Sequence, residues 1–119
     1  MIAGRLDCAP MSGIPEIDAD EARRRLDAGA TLFMDVRDPG SYAAAHIPGA
    51  MNVGDHNIEA FVEETARDRP IVIYCYHGLS SRGGAAYLLD AGFTDVCSLS
   101  GGFEGWRGRH PHEGGAPQR

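Results

Sequence analysis

The chain is short of cysteine, of long apolar runs and of positive charge, and each shortage narrows what it can be. Its three cysteines, Cys8, Cys75 and Cys97, are odd in number and far apart. With no C-x-x-C pair among them, neither a disulfide framework nor a zinc site is indicated, and a reducing compartment fits. No apolar run approaches the roughly 20 residues of a membrane span. Residues 1–13 lack the basic start and apolar core of a secretory signal. A cytoplasmic protein with no membrane partner is therefore expected. Seventeen acidic residues against 11 Lys and Arg give a formal charge of −6, which argues against a nucleic-acid partner, since that would need clustered base. At 119 residues the chain is about one domain long.

What is present is organised around Cys75. Ile71, Val72, Ile73 and Tyr74 form an unbroken apolar run, the pattern of a central parallel strand covered on both faces. A turn of small and polar residues follows, and then Ala85, Leu88 and Leu89 fall at helical spacing. The spacing predicts a helix with Ser81 as N-cap and an end at Gly92. Cys75 thus sits between a strand end and a helix start, where open parallel sheets keep their ligands. Turn N–H groups and the positive end of the helix make an anion site around the sulfur, and such surroundings lower a thiol's pKa. Cys75 is the candidate nucleophile. Gly78, Ser80, Ser81, Gly83 and Gly84 leave room for close backbone approach to a ligand.

Upstream, residues 1–13 lack periodicity and read as a flexible N-terminal arm. Cys8, within it, is a bystander unless it reaches the site as a resolving thiol. Ile14–Ile17 reads as a short edge strand, where Pro15 is tolerated. Asp18 with Glu21 suggests a capping box for a helix that buries Ala19, Ala22 and Leu26 and ends at Gly29. Arg23, Arg24 and Arg25 are an anion patch or a solvated helix face, and such runs usually face water. Thr31–Val36 is a second apolar strand that delivers Asp35 and Arg37 to the rim of Cys75. Asp38-Pro39 then starts a short helix. His46 to Ala50 is a turn in which His46 is structural. Met51–Val53 is a strand, and Asp55 caps a helix that turns Ile58, Phe61 and Val62 inward.

Asp95–Leu99 is the last strand, with Cys97 in the core, and Gly101-Gly102 permits a sharp turn before Phe103 and Trp106 pin a final helical turn to the body. Residues 108–119 read as a flexible C-terminal tail. Its His110 and His112 are read as solvated rather than as metal ligands. The alternation of strand and helix points to an α/β fold, a mostly parallel sheet with helices on both faces.

Four stretches, CYHGLSSRGG from Cys75, MDVRDP from Met34, HIPGAMNV from His46 and SGGFEGW from Ser100, together resemble the rhodanese superfamily, in its single-domain, GlpE-like thiosulfate sulfurtransferase form. Their order and spacing make the signal specific. The resemblance spans residues 14–107. It implies a three-layer fold with a central five-stranded sheet, and it carries over Cys75 as nucleophile with the backbone of Tyr76, His77, Gly78, Leu79 and Ser80 as anion cradle, followed by Ser81. Arg82 stands where a basic residue commonly follows the loop, and would add charge for a sulfonate. By analogy Asp35 and Arg37 brace the loop or line its mouth; an exposed Asp–Arg pair is the alternative.

The implied chemistry is transfer of a sulfane sulfur from thiosulfate or another donor, through a Cys75 persulfide, to a thiophilic acceptor: cyanide, a small thiol or a thioredoxin-like protein. No metal or organic cofactor is required. A non-turnover persulfide carrier or partner-binding module is the alternative. Cysteine phosphatases and arsenate reductases share the thiolate nest, but their C-x5-R signature needs an arginine at the position of Ser81.

Overall fold

In the computed structural model the described residues are 14–113. The expected N-terminal arm with Cys8, and residues 114–119, lie outside them. Five strands, β1 (Glu16–Ile17), β2 (Leu32–Asp35), β3 (Met51–Asn52), β4 (Ile71–Tyr74) and β5 (Val96–Leu99), form one sheet in the order β1-β5-β4-β2-β3. Every pairing in it is parallel. Four helices connect them, α1 (Ala19–Ala28), α2 (Pro39–Ala44), α3 (Ile58–Glu64) and α4 (Ser80–Asp90), and α5 (Gly102–Arg107) follows β5. The α/β, three-layer, five-stranded expectation holds.

Side chains alternate across the central strands, and this splits the core in two. Phe33, Val72, Tyr74 and Leu99 pack against α1 and α5 through Ala19, Ala22, Phe103 and Trp106. Met34, Ile71, Ile73 and Val96 pack against α3 and α4 through Phe61, Ala85 and Leu88. Both faces being covered explains why β4 has no polar residue, and burying side chains of this size contributes about 1.5–3 kcal/mol each. No helix among the described residues is long and apolar enough to cross a membrane.

Local signals set most helix ends. Asp18 caps α1, its Oδ1 accepting from Glu21 N at 2.8 Å, and Gly29 closes it at φ +88°. The reciprocal half of the capping box is missing. The Glu21 carboxylate is held instead by Arg24 at 2.7 Å and Arg25 at 3.1 Å, while Arg23 pairs with Asp27. The arginine run is therefore engaged along its own helix, not gathered as an anion patch. Asp38 caps α2, with Pro39 in its first turn.

Three expectations need correction. Asp55 does not cap α3. Asn57 holds that position, with its Oδ1 accepting from Gly54 N at 2.8 Å and its Nδ2 donating to Asn52 O at 3.1 Å, so it closes the β3–α3 turn. Ser81 does not cap α4, which begins one residue earlier behind Leu79, without a side-chain cap; its hydroxyl faces Cys75.

Nor does the chain leave the body at Gly108. Arg109 and His110 reach Asp20 on α1 at 2.8 and 3.1 Å, Trp106 Nε1 donates to Pro111 O at 2.9 Å, and His46 and Glu113 exchange two backbone hydrogen bonds. His110 packs on Trp106 and His112 on Phe103, so neither histidine is merely solvated. His46 stacks on Tyr42 and donates from Nδ1 to its carbonyl at 2.7 Å, the structural role expected of it.

Candidate active site

The register aligns Asp35 with Tyr74, and Ile73 with Ser98, so the carboxyl ends of β2, β4 and β5 bring Asp35, Cys75 and Ser98 to one edge. Cys75 follows Tyr74 directly and is 7% exposed. Its Sγ accepts from the N–H groups of Gly78 at 3.1 Å and Ser81 at 3.3 Å, and lies 3.4 Å from Ser81 Oγ. Ser81 Oγ is 2.7 Å from Ser98 Oγ, both side chains being fully buried. As a thiol, Cys75 can donate to Ser81. As a thiolate it accepts from that hydroxyl, which then accepts from Ser98. Burial alone would raise the Cys75 pKa, but the Ser81 hydroxyl and the N–H groups of Ser81, Gly78 and His77 outweigh it and hold the thiol below its usual value.

The loop keeps this shape because α5 holds it from behind. Phe103 N donates to Cys75 O at 2.8 Å and Glu104 N to Tyr76 O at 3.0 Å, so the first N–H groups of α5 are satisfied by the active-site backbone. That approach requires glycine at two places. Gly78 takes φ +94°, and a Cβ on it would stand 3.0 Å from Gly101 N; Gly102 takes φ +60°, with Tyr76 and Cys75 backbone atoms closer still.

Arg37 fixes the other wall. Its Nη2 reaches Asp35 Oδ2 at 2.7 Å and its Nε bridges both carboxylate oxygens. The guanidinium is sandwiched between Phe103 and Tyr76, 4.4 and 4.7 Å from their ring centres. Burial works against its charge, but the Asp35 carboxylate more than compensates and raises its pKa. With side-chain exposures of 3% and 0%, this is not an exposed ion pair. Tyr74 completes the cluster, its hydroxyl accepting from Ile47 N at 3.1 Å and touching Asp35; burial first, and then the Asp35 charge, push its pKa far up.

A cleft of about 280 Å³ opens over the sulfur, lined by Val36, Arg37 and Asp38 on one side and by Cys75, Tyr76, His77, Leu79 and Ser80 on the other. Tyr76 and Leu79 stand at its rim, 38% and 69% exposed. Arg82 is not part of this lining. Its guanidinium lies 3.5 Å from the Glu16 carboxylate on β1. The expected contribution of Arg82 to the site therefore lacks a geometric basis, and among the described residues Arg37 is the only arginine at the mouth. No group of three His, Cys, Asp or Glu among the described residues is arranged to hold a metal.

Sequence reasoning missed Ser98 and the bracing role of Gly102. A hydroxyl inside the otherwise apolar β5 was the available signal for the first. For the second, a glycine pair beyond a strand end signals a turn but not what approaches it.

A family model for the rhodanese-like domain matches residues 18–109. The thiosulfate sulfurtransferase GlpE of Pseudomonas fluorescens (strain Pf0-1) is 45% identical over 103 residues, covering 87% of this chain and 94% of that protein. Among solved structures, a protein from Anabaena sp. superposes with a TM-score of 0.73 at 32% identity, covering 82% of this chain and 91% of that one. A Rhodopseudomonas palustris protein described as a possible tyrosine phosphatase superposes equally well, 0.73, at 26% identity and 86% coverage of each chain.

Proposed function

The chain belongs to the rhodanese-like domain family, and we propose that it is a thiosulfate sulfurtransferase in which Cys75 carries the sulfur. The observation that carries this reading is the Cys75 sulfur itself, held by two backbone N–H groups and a buried hydroxyl relay at the floor of an open cleft.

The Cys75 thiolate attacks the outer sulfur of thiosulfate. A new S–S bond forms, the old one breaks, and sulfite leaves with the bonding electrons. The result is a Cys75 persulfide. A nucleophile such as cyanide then attacks the outer sulfur of that persulfide, thiocyanate leaves, and the Cys75 thiolate is restored; a small thiol or a thioredoxin-like protein could act in place of cyanide. Negative charge sits on Cys75 at the start and finish and on its outer sulfur in between. The N–H groups at the loop serve each state without a general base. The cradle is built largely from main-chain N–H groups.

Phosphatase chemistry is less well served. Ser81 stands where the loop-closing arginine of that chemistry belongs, fully buried and committed to Cys75 and Ser98. The test is steady-state turnover of thiosulfate and cyanide: initial-rate plots should be parallel, the mark of a substituted-enzyme path. Intersecting plots, or Cys75-dependent hydrolysis of aryl phosphates with no sulfur transfer, would overturn the reading.

A further inference from the structure

A second cleft, of about 330 Å³, shares the Val36 wall with the Cys75 cleft and lies between α3 and α4. Its floor is apolar, made by Val36, Val53, Ile58, Ile73 and Leu88, and Tyr87 stands at its edge half exposed. Gly84 keeps it open: a Cβ there would lie 2.5 Å from the end of the Ile73 side chain. Among the described residues two carboxylates, Asp55 and Glu59, are its only charged lining. Among the described residues neither makes a hydrogen bond or an ion pair, whereas Asp20, Glu21, Asp35 and Asp38 are all engaged. His56, next to Asp55, is the nearest other titratable side chain in sequence and is not part of the lining. A concave apolar floor with unpaired acid at its rim suits an apolar group next to a cation.

The placement indicates what brings such a group there. Leu79, at the rim of Cys75, and Tyr87, at the edge of the second cleft, are both exposed on the same helical segment, Leu79 directly preceding α4. Eight residues at 1.5 Å rise set them about 12 Å apart along the axis, roughly four residues of extended chain. One peptide segment can therefore reach both clefts. We propose that the second cleft docks the sulfur acceptor, a polypeptide that presents an apolar side chain beside a lysine or arginine about four residues from its reactive cysteine. This rests on the sulfurtransferase reading above. The acceptor thiolate attacks the outer sulfur of the Cys75 persulfide anion; the S–S bond to Cys75 breaks, Cys75 leaves as thiolate, and the acceptor keeps the sulfur as its own persulfide anion.

Two acetylated octapeptides test this, each with one cysteine four residues from either a Leu-Lys or a Ser-Glu pair. Protein preloaded with thiosulfate should pass sulfur to the Leu-Lys peptide about tenfold faster, in kcat/KM, than to the Ser-Glu peptide, a difference of about 1.4 kcal/mol. Asp55→Asn with Glu59→Gln, both at exposed positions, should remove most of that preference and leave discharge to cyanide unchanged. Equal rates for the two peptides, or a preference that survives the double substitution, would overturn the proposal. Because the chain has no lysine, carbodiimide coupling of the Leu-Lys peptide maps docking without sulfur chemistry. Coupling at Asp55 or Glu59 in a protein that forms no persulfide would retain the cleft as a peptide site and reject the sulfurtransferase reading. Coupling spread over other carboxylates would reject the cleft itself.

Discussion

Gly102 lies so close to Tyr76 that a Cβ on it would stand within 2.4 Å of the Tyr76 carbonyl carbon and oxygen. The start of α5 and the Cys75 loop are thus one packed unit, and the position of the Cys75 backbone depends on a residue that does not line the cleft.

Gly102→Ala should accordingly damage both stability and turnover. Left-handed backbone costs a side-chain residue about 1–2 kcal/mol, and forcing a methyl group into packed backbone typically adds about 1–3 kcal/mol. Gly83→Ala is the control: its Cβ meets nothing within 4 Å on an exposed face of α4, so it should stabilise by about 0.5–1 kcal/mol. Urea unfolding of the two variants checks the opposite signs, and equal effects would contradict the clamp.

Removing the Arg37 guanidinium strands the Asp35 carboxylate in a fully buried position. Arg37→Ala should cost about 3–5 kcal/mol, the usual penalty for breaking a buried pair from one side. Arg37→Lys should recover only part of it, since an ammonium cannot make the two-pronged contact or stack flat between Tyr76 and Phe103. Adding Asp35→Leu to Arg37→Ala should restore stability relative to the single change. Chemical denaturation of the set would contradict the account if Arg37→Lys matched the wild type.

The lowered thiol pKa makes Cys75 a pH-dependent source of stability. Its contribution is full above the unfolded thiol's pKa of about 8.5 and is lost as pH falls through the lower folded value. The stability advantage of the wild type over Cys75→Ser should therefore grow with pH across that window. Iodoacetamide should label Cys75 well before Cys97, with a rate that titrates below the free-thiol range. Ser81→Ala removes the hydroxyl donor and should shift that titration upward; an unchanged profile would mean that the hydroxyl relay is idle.

Arg82→Ala should have little effect. The side chain is 49% exposed and faces Glu16, and exposed pairs of this kind are worth about 0–1 kcal/mol. Persulfide formation from thiosulfate should stay within about threefold of the wild type, since 0.65 kcal/mol is roughly that factor. A loss of a hundredfold would place Arg82 at the donor after all.

Much of this architecture is legible in the chain because the signals are local. The β-branched run before Cys75 and the glycines and serines after it describe a strand end, a turn and a helix start without reference to the rest of the molecule, and Asp18 and Asp38 announce their helices in the same way. What sequence could not convey depends on distant partners. Arg82 points as it does because of Glu16, 66 residues away. Asp35 and Arg37 read equally well as an exposed pair, because only the fold brings Phe103 over the guanidinium. The segment after Gly108 has loop composition throughout, yet His46 and Trp106 offer it backbone and indole partners.

The central claim, that sulfur passes through Cys75, is tested most directly by intact-protein mass spectrometry after incubation with thiosulfate and no acceptor. The account predicts one added sulfur atom, mapped to Cys75, lost on adding cyanide and absent in Cys75→Ser. A wild-type protein that gains no sulfur, together with full turnover in Cys75→Ser, would contradict it.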